Sequence, residues 1–148
     1  MDVREDEAEL NVGLLLYIPY RWMEKRVFAA LADAGCDFSV AQMKILQRIA
    51  PEGSRLTDLA EQAQVTKQTA GFLVDQLEKG GWVERVPDPT DGRARLIRIA
   101  PKGQKAVPIA NAAVAEVEAE WEAHLGKQRM AQLRRALTQL REITDPYA

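Results

Sequence analysis

Hydrophobic positions recur with a helical period over most of this sequence. A long helix is predicted from Glu7 to Asp33, in which the apolar residues recur at helical spacing after Pro19. Pro19 should kink or break this helix, because proline has no N–H to donate to the preceding turn. Gly35 should end it. The predicted apolar side of the helix comprises Tyr20, Met23, Val27, Phe28 and Leu31.

Three shorter helices are predicted next. Ser39 and Gln42 have the spacing of a capping box, which starts the first of them. Thr66 is a suitable N-cap for the third, because its hydroxyl can accept a backbone N–H of the first turn. The predicted bounds are Val40–Ile49, Thr57–Ala63 and Lys67–Lys79. The third helix carries an apolar stripe at Ala70, Leu73, Val74 and Leu77.

The period changes from helical to alternating after Gly80 and Gly81. Two short stretches, Trp82–Val86 and Arg95–Ile99, have the pattern of strands. They flank a segment rich in turn formers, Pro87–Gly92. The sequence therefore predicts a hairpin with a long tip.

Two long helices complete the predicted chain. Pro101 suits the first position of a helix that extends to Ala123 and that Pro108 should bend. Gly126 separates this helix from a last one, Lys127–Ile143, whose apolar residues follow a heptad-like pattern. Those residues are Met130, Leu133, Leu137 and Leu140.

A helix, a short turn and a second helix, followed at once by a hairpin, is the element order of a winged helix-turn-helix. In such a domain the second helix can enter the major groove of DNA while the hairpin reaches the adjacent backbone or minor groove. We therefore expect a mainly α protein with a small β-hairpin wing, built as a single domain over residues 1–148. Residues 38–105 would form the winged helix-turn-helix lobe.

Charge is distributed unevenly along the chain. The net charge of the 148 residues is −2, which argues against a protein coated in basic residues. Residues 66–105, however, carry eight basic side chains and five acidic ones, so this segment is positive and the remainder is negative. The segment that contains the predicted DNA-reading elements is therefore the one with a favourable charge.

The sequence offers little support for other classes of protein. His124 is the one histidine and has no metal-ligand spacing with Glu122. No phosphate-binding glycine loop or nucleophile elbow is present, so we expect no enzyme activity, cofactor or metal. The N-terminal segment has five acids by Glu9 and is unlike a signal peptide, and the longest apolar run is too short to cross a membrane. A cytoplasmic protein is expected.

The winged-helix segment resembles the MarR family of transcriptional regulators. The resemblance extends from Phe38 to Lys105 and is most specific at the hairpin tip, where Asp91, Arg93 and Arg95 form an Asp-x-Arg-x-Arg motif. The other matching stretches are Phe38–Gln42, Thr57–Ala60, Thr66–Thr69 and Leu77–Arg85. About half of the chain is matched by motif, and the terminal helices agree in layout.

The resemblance implies a homodimer in which the first and last helices, residues 7–34 and 106–143, form a dimerisation domain. It also implies binding to a pseudo-palindromic operator in double-stranded DNA, usually as a repressor of nearby genes. Release in this family is typically triggered by a small, often aromatic and anionic ligand or by cysteine oxidation. A small-molecule effector is therefore an expected partner.

The third predicted helix would supply the recognition surface. Gln68 can make bidentate hydrogen bonds to adenine, Thr69 can contact a phosphate or a thymine methyl group, and Gly71 lets the edge of the groove come close. Phe72 stands where many relatives have a polar or basic residue, and it either contacts thymine methyl groups or packs beneath the wing. Plain solvated surface is the alternative for Gln68 and Thr69. The predicted site is Thr66, Lys67, Gln68, Thr69, Gly71 and Phe72.

The wing would contribute arginines. Arg93 and Arg95 flank the tip, and an arginine is attracted by the negative potential of a narrow minor groove. Asp91 would repel DNA, so we expect it to pair with one of these arginines and fix the direction of its side chain. Lys67, Lys79 and Arg85 are expected to contact phosphates nonspecifically or to be solvated. The alternative is an ordinary exposed hairpin whose charges aid solubility.

A ligand pocket is predicted near the aromatic residues of the first helix. Tyr17, Tyr20 and Trp22 could line it, and Arg21 could bind a ligand carboxylate. Aromatic residues at helical spacing are also typical of a core or a dimer interface. Cys36 has no basic neighbour to lower its pKa, so a structural role is favoured over redox sensing.

An alternative function remains open at this stage. A winged-helix protein could serve as a protein-interaction or ligand-binding module without sequence-specific DNA binding. The acidic total charge, Gly71 and Phe72 favour that alternative.

Overall fold

The computed structural model describes residues 9–146 and has seven helices and one two-stranded antiparallel sheet within them. It confirms the predicted mainly α architecture with a β-hairpin wing. The elements are α1 (Val12–Asp33), α2 (Val40–Leu46), α3 (Leu56–Gln62), α4 (Lys67–Lys79), β1 (Val83–Asp88), β2 (Asp91–Ile99), α5 (Pro101–Gln104), α6 (Ala106–Leu125) and α7 (Lys127–Thr144).

Helix α1 is shorter than predicted at its N-terminus. The predicted start, Glu7, lies outside the described residues, and the helix begins at Val12 because the Asn11 side chain caps it by accepting the N–H of Leu14 at 2.9 Å. Pro19 lies inside α1 and does not end it. Gly35 does end it, with a φ of +81° that lets the Cys36 N–H return to the Leu31 carbonyl at 2.8 Å.

The helix-turn-helix forms as the caps and the apolar stripe predict. Ser39 and Gln42 make the reciprocal bonds of a capping box at the start of α2. Helix α2 ends at Leu46 rather than at Ile49, because the following N–H groups bond three residues back and the chain tightens into a turn. Thr66 caps α4, which has the predicted bounds. All four stripe residues of α4 are buried.

The hairpin has longer strands and a shorter tip than predicted. Strand β1 continues to Asp88 and β2 starts at Asp91, so only Pro89 and Thr90 lie between them. The register of the strand pairing shifts at the tip, since Pro87 faces Arg95 while Asp88 faces Asp91. The turn formers of this segment therefore make a bulge within the ladder rather than a long loop.

The predicted helix from Pro101 to Ala123 is wrong, because the chain forms two helices there. Helix α5 is one short turn, and α6 starts anew at Ala106. Pro108 is the third residue of α6, where its missing N–H has no helical acceptor to leave unsatisfied. Proline here marks the start of a helix instead of a bend within one. Helix α6 then ends at Leu125, two residues beyond the predicted end, and Gly126 separates it from α7 as predicted.

The two ends of the chain pack together beside the winged-helix lobe. Helix α1 packs along α6, and the Arg26 guanidinium links them by hydrogen bonds of 2.9 to 3.1 Å to the Glu120 carboxylate. Helix α7 packs on α6 and buries none of its own side chains. None of the described helices is long and apolar enough to cross a membrane.

Candidate nucleic-acid interface

The first two turns of α4 present an exposed and largely uncharged surface. Gln68 and Thr69 point away from the buried stripe, and Lys67 is exposed beside them. The Thr66 hydroxyl accepts the Thr69 N–H at 3.0 Å and donates to the Thr69 hydroxyl oxygen at 2.9 Å. The Thr69 hydroxyl is thereby held in one direction and keeps its own hydrogen available for an outside acceptor.

Gly71 and Phe72 extend this surface into the second turn. A Cβ added to Gly71 would lie 3.7 Å from Cδ2 of Leu56, which is ordinary van der Waals contact. The protein itself therefore does not require glycine at this position. The Phe72 side chain is 62% exposed, so it does not pack beneath the wing. Of its two predicted roles, contact with thymine methyl groups remains.

Arg93 and Arg95 are exposed on β2 and, within residues 9–146, neither guanidinium has an ion-pair partner. We expected Asp91 to pair with the side chain of Arg93 or Arg95, but it pairs with neither. Its carboxylate instead accepts the backbone N–H of Arg93 at 3.0 Å. The bulge brings that N–H within reach two residues along the chain, as in an Asx turn. Asp91 thus orients the backbone that carries Arg93 and leaves the guanidinium free.

A buried carboxylate anchors the wing to the helix-turn-helix. Asp88 is 6% exposed, and its Oδ2 accepts bonds from Nε and Nη2 of Arg55 at 3.1 and 2.9 Å. Its Oδ1 accepts the N–H and hydroxyl of Thr90 at 2.8 and 2.7 Å. The bonds from Thr90 and then those from Arg55 lower the pKa of Asp88 to about 2. Because Arg55 directly precedes α3, this contact fixes the wing tip relative to the helices.

A second connection joins the same two parts of the lobe. Ser54 and Ile97 exchange backbone hydrogen bonds of 2.7 and 2.9 Å, so a single β-bridge joins the segment before α3 to β2. Together with the bonds of Asp88 to Arg55, this pairing ties both ends of the hairpin to the start of α3. The wing is therefore held in a defined position beside α4.

Several basic residues of the segment 66–105 are engaged within the protein. Arg85 bonds Glu78 at 2.7 Å and Asp75 at 2.8 Å, so it is neither solvated nor free for phosphate, in contrast to its prediction. Arg98 pairs with Glu84 across the hairpin at 2.6 Å. Lys102 donates to the Gly80 carbonyl and lies over the Trp82 ring. The basic residues of this segment with neither an ion pair nor a side-chain hydrogen bond among the described residues are Lys67, Lys79, Arg93, Arg95 and Lys105.

Sequence reasoning missed the Arg55 and Asp88 pair. The two residues are 33 positions apart, so no local period connects them. One local signal was present, since an aspartate followed by proline and threonine is typical of a turn whose carboxylate accepts nearby N–H and O–H groups.

The helices at the two ends of the chain enclose an apolar cleft. It has a volume of about 990 Å³ and lies between α1, α6 and α7. Of the four residues predicted to bind a ligand, Tyr20 lines the cleft, whereas Tyr17, Arg21 and Trp22 lie on exposed parts of α1 outside it. Partial burial and the neighbouring Glu24 raise the pKa of Tyr20.

Cys36 and the acidic residues give no second site in the part of the chain that the structure describes. Cys36 is buried beneath the end of α1. No three side chains of the metal-ligating types come together between residues 9 and 146.

Comparison with known proteins agrees with this arrangement. Residues 38–94 match the model of the MarR family. The HTH-type transcriptional regulator FarR of Neisseria gonorrhoeae is 25% identical over 146 residues, which are 98% of this chain and 97% of FarR. CouR of Rhodococcus jostii RHA1, solved with bound p-coumaroyl-CoA, superposes with a TM-score of 0.69 at 25% identity, covering 93% of this chain and 94% of CouR.

A MarR family protein of Mycobacterium tuberculosis, solved in complex with salicylic acid, superposes with a TM-score of 0.65 at 25% identity. The match covers 90% of this chain and 98% of that protein. The family match falls on the winged-helix lobe, and the likeness to whole relatives continues through the terminal helices. The winged-helix lobe therefore matches the MarR family of transcriptional regulators, and the chain is similar to regulators of that family over nearly its whole length.

Proposed function

We propose that the protein is a dimeric repressor that binds a pseudo-palindromic DNA operator and is released from it by a small, aromatic or anionic ligand. The observation that carries the DNA-binding part is the division of the basic residues. Arg85, Arg98 and Lys102 are bound within the lobe, whereas Arg93 and Arg95 at the wing are unpaired among the described residues.

The recognition surface fits the two grooves of B-form DNA. Helix α4 would lie in the major groove with Thr66, Lys67, Gln68, Thr69, Gly71 and Phe72 towards the base pairs. Arg93 and Arg95 would enter the adjacent minor groove, where the negative potential attracts arginine. The bonds of Asp88 to Arg55 support this geometry, because they hold the wing at a fixed place beside the helices.

The dimer is supported by the apolar surface that a single protomer leaves uncovered. Leu15, Leu16 and Ile18 of α1 are each 42–53% exposed, and α7 has no fully buried side chain, since Met130 and Leu133 are only partly buried. A helix of 18 residues that packs on one neighbour alone gains little from burial, so its apolar stripe requires a further surface. Residues 7–34 and 106–143 of a second copy would supply that surface at the cleft.

The effector part rests on the chemistry of the ligands bound by relatives. Salicylic acid and p-coumaroyl-CoA each combine an aromatic ring with negative charge, and they occupy two proteins of this fold. Tyr20, at the mouth of the cleft beside α6 and α7, is the predicted ligand residue that this chain places at a cavity. Tyr17, Arg21 and Trp22 would contribute from the exposed side of α1.

Selection from random double-stranded DNA tests this function. The purified protein should recover a palindromic motif with half-sites about 34–36 Å apart, as expected for two recognition helices on one face of the duplex. Aromatic carboxylates should then lower the affinity for that motif in a fluorescence anisotropy titration. Failure to enrich any motif would refute sequence-specific binding.

A second candidate function is a protein-interaction module on the same scaffold. It is favoured by one observation, the exposed Phe72 on a helix whose outer surface is otherwise polar. The same selection separates the two candidates, because an interaction module should enrich no motif.

A further inference from the structure

Phe72 stands apart from the other aromatic residues of the winged-helix lobe. The lobe, residues 38–105, contains three of them. Phe38 and Trp82 pack against each other with ring centroids 4.8 Å apart, and Phe38 is buried. Phe72 is 62% exposed instead. The core therefore does not account for an aromatic side chain at this position.

Phe72 shares its face of α4 with the residues that would meet base edges. It follows Gln68 by four positions and Thr69 by three, so the three side chains are neighbours on the helix surface. Farther along the helix, Asp75 and Glu78 are held by Arg85. Phe72 is thus the last side chain of the uncharged surface before the helix becomes acidic.

Only one kind of group in the major groove offers a phenyl ring a favourable contact. Base edges there present hydrogen-bond donors and acceptors, which a phenyl ring cannot satisfy, and the C5-methyl group of thymine, which is apolar. Contact with that methyl group removes apolar surface of both partners from water. Four residues of helix rise by about 6 Å, close to two base-pair steps.

We propose that Phe72 reads the C5-methyl group of a thymine within about two base pairs of the base that Gln68 contacts. This inference rests on the proposed DNA-binding function and makes it more specific. It assigns Phe72 as a specificity-determining residue and requires a thymine at one defined position of each operator half-site.

Deoxyuridine provides the sharpest test, because it lacks only the methyl group of thymine and keeps its base pairing. Each thymine of the selected operator would be replaced singly, and the dissociation constants of wild type, Phe72→Ser and Phe72→Leu measured by fluorescence anisotropy. Val40→Ser is the matched control, since Val40 is an exposed apolar residue of the same lobe at the start of α2. Circular dichroism would verify the fold of each variant.

We expect one deoxyuridine per half-site to weaken wild type about fourfold, the value of one buried methyl group. The same replacement should leave Phe72→Ser unaffected, while Phe72→Leu and Val40→Ser respond as wild type does. The inference is overturned if no replacement weakens wild type more than it weakens Phe72→Ser. That result leaves the proposed function intact, whereas failure to select any operator removes both.

Discussion

In the winged-helix lobe the large apolar side chains other than Val40 and Phe72 are buried or partly buried within the protomer, whereas in α1 and α7 most of them are exposed. Ile45, Leu59 and Leu77 of the lobe are almost completely buried. In α7, Leu137 and Leu140 are 41% and 43% exposed. The lobe thus buries its large apolar residues within the protomer, in a core that also includes Val27 and Leu31 of α1, whereas the outer parts of α1 and α7 leave apolar surface uncovered.

The lobe and the terminal helices also differ in how their charged groups are paired. The lobe pairs the basic residues that connect its own elements and leaves those of the wing tip and the first turn of α4 without partners among the described residues. The terminal helices pair Arg26 with Glu120 and Arg134 with Glu118 between helices. The protein therefore offers cations at one end and apolar surface at the other, which suits DNA and a second copy respectively.

The largest effect is expected in the core of the lobe. Leu59→Ala removes a fully buried side chain and should lower the free energy of unfolding by about 2–5 kcal/mol, because it leaves a cavity. Urea denaturation at fixed protomer concentration measures this loss. Val40→Ala, at an exposed position, should change it by less than about 0.5 kcal/mol. Equal losses in both variants would mean that Leu59 is not part of a core buried within the protomer.

A smaller effect is expected at α7, and it should depend on protein concentration. Leu137→Glu places a charge in the cleft and should weaken dimer association by roughly 1.5–3 kcal/mol per leucine lost. Sedimentation equilibrium would report the association constant. Gln139→Glu adds the same charge to the same helix off the apolar stripe and is the control. An unchanged association constant in Leu137→Glu would rule out the cleft as the dimer contact.

Structural features that depend on neighbouring residues are predictable from the sequence, whereas those that depend on distant residues are not. Thr66 and the stripe of Ala70 to Leu77 are local signals, so the bounds of α4 follow from spacing and capping alone. The bounds of the wing strands, and the interruption at Lys105 between α5 and α6, depend on pairing and packing with residues that are distant in the sequence. A Cβ at Gly103 would overlap the Trp82 carbonyl oxygen, so α5 packs tightly on the start of β1 and the helix cannot simply continue from it.

Some residues of the candidate site are likewise predictable from local sequence, whereas others come together only in the fold. Arg93 and Arg95 were identified by a sequence motif and lie exposed on the wing, but the partner of Asp91 was not predictable because it depends on the bulge. Arg55 and Asp88 meet only through the fold. Tyr17 and Trp22 share a sequence neighbourhood with Tyr20 but not its side of the helix.

The smallest effect is expected on acidification. The pKa of Asp88 falls from its ordinary value of 3.8 to about 2 in the folded protein, so its contribution to stability is present above about pH 4 and is lost as the pH falls towards 2. Asp88→Asn should lack this component, because an amide does not ionise in this pH range. Thermal denaturation between pH 5 and pH 2 would compare wild type, Asp88→Asn and the control Asp75→Asn. A pH response of Asp88→Asn equal to that of wild type would contradict the anchoring role.

The salt dependence of operator binding tests the central claim most directly. The segment 66–105 has five basic residues per protomer with neither an ion pair nor a side-chain hydrogen bond among the described residues, so a dimer should neutralise at most about ten phosphates. The slope of log affinity against log salt concentration should then be no steeper than about −9 for wild type. Arg93→Ala should reduce its magnitude by about 2 and lower affinity, whereas Arg98→Ala, which removes a paired arginine from the same strand, should leave it unchanged. Equal slopes and affinities for the two variants would contradict the account.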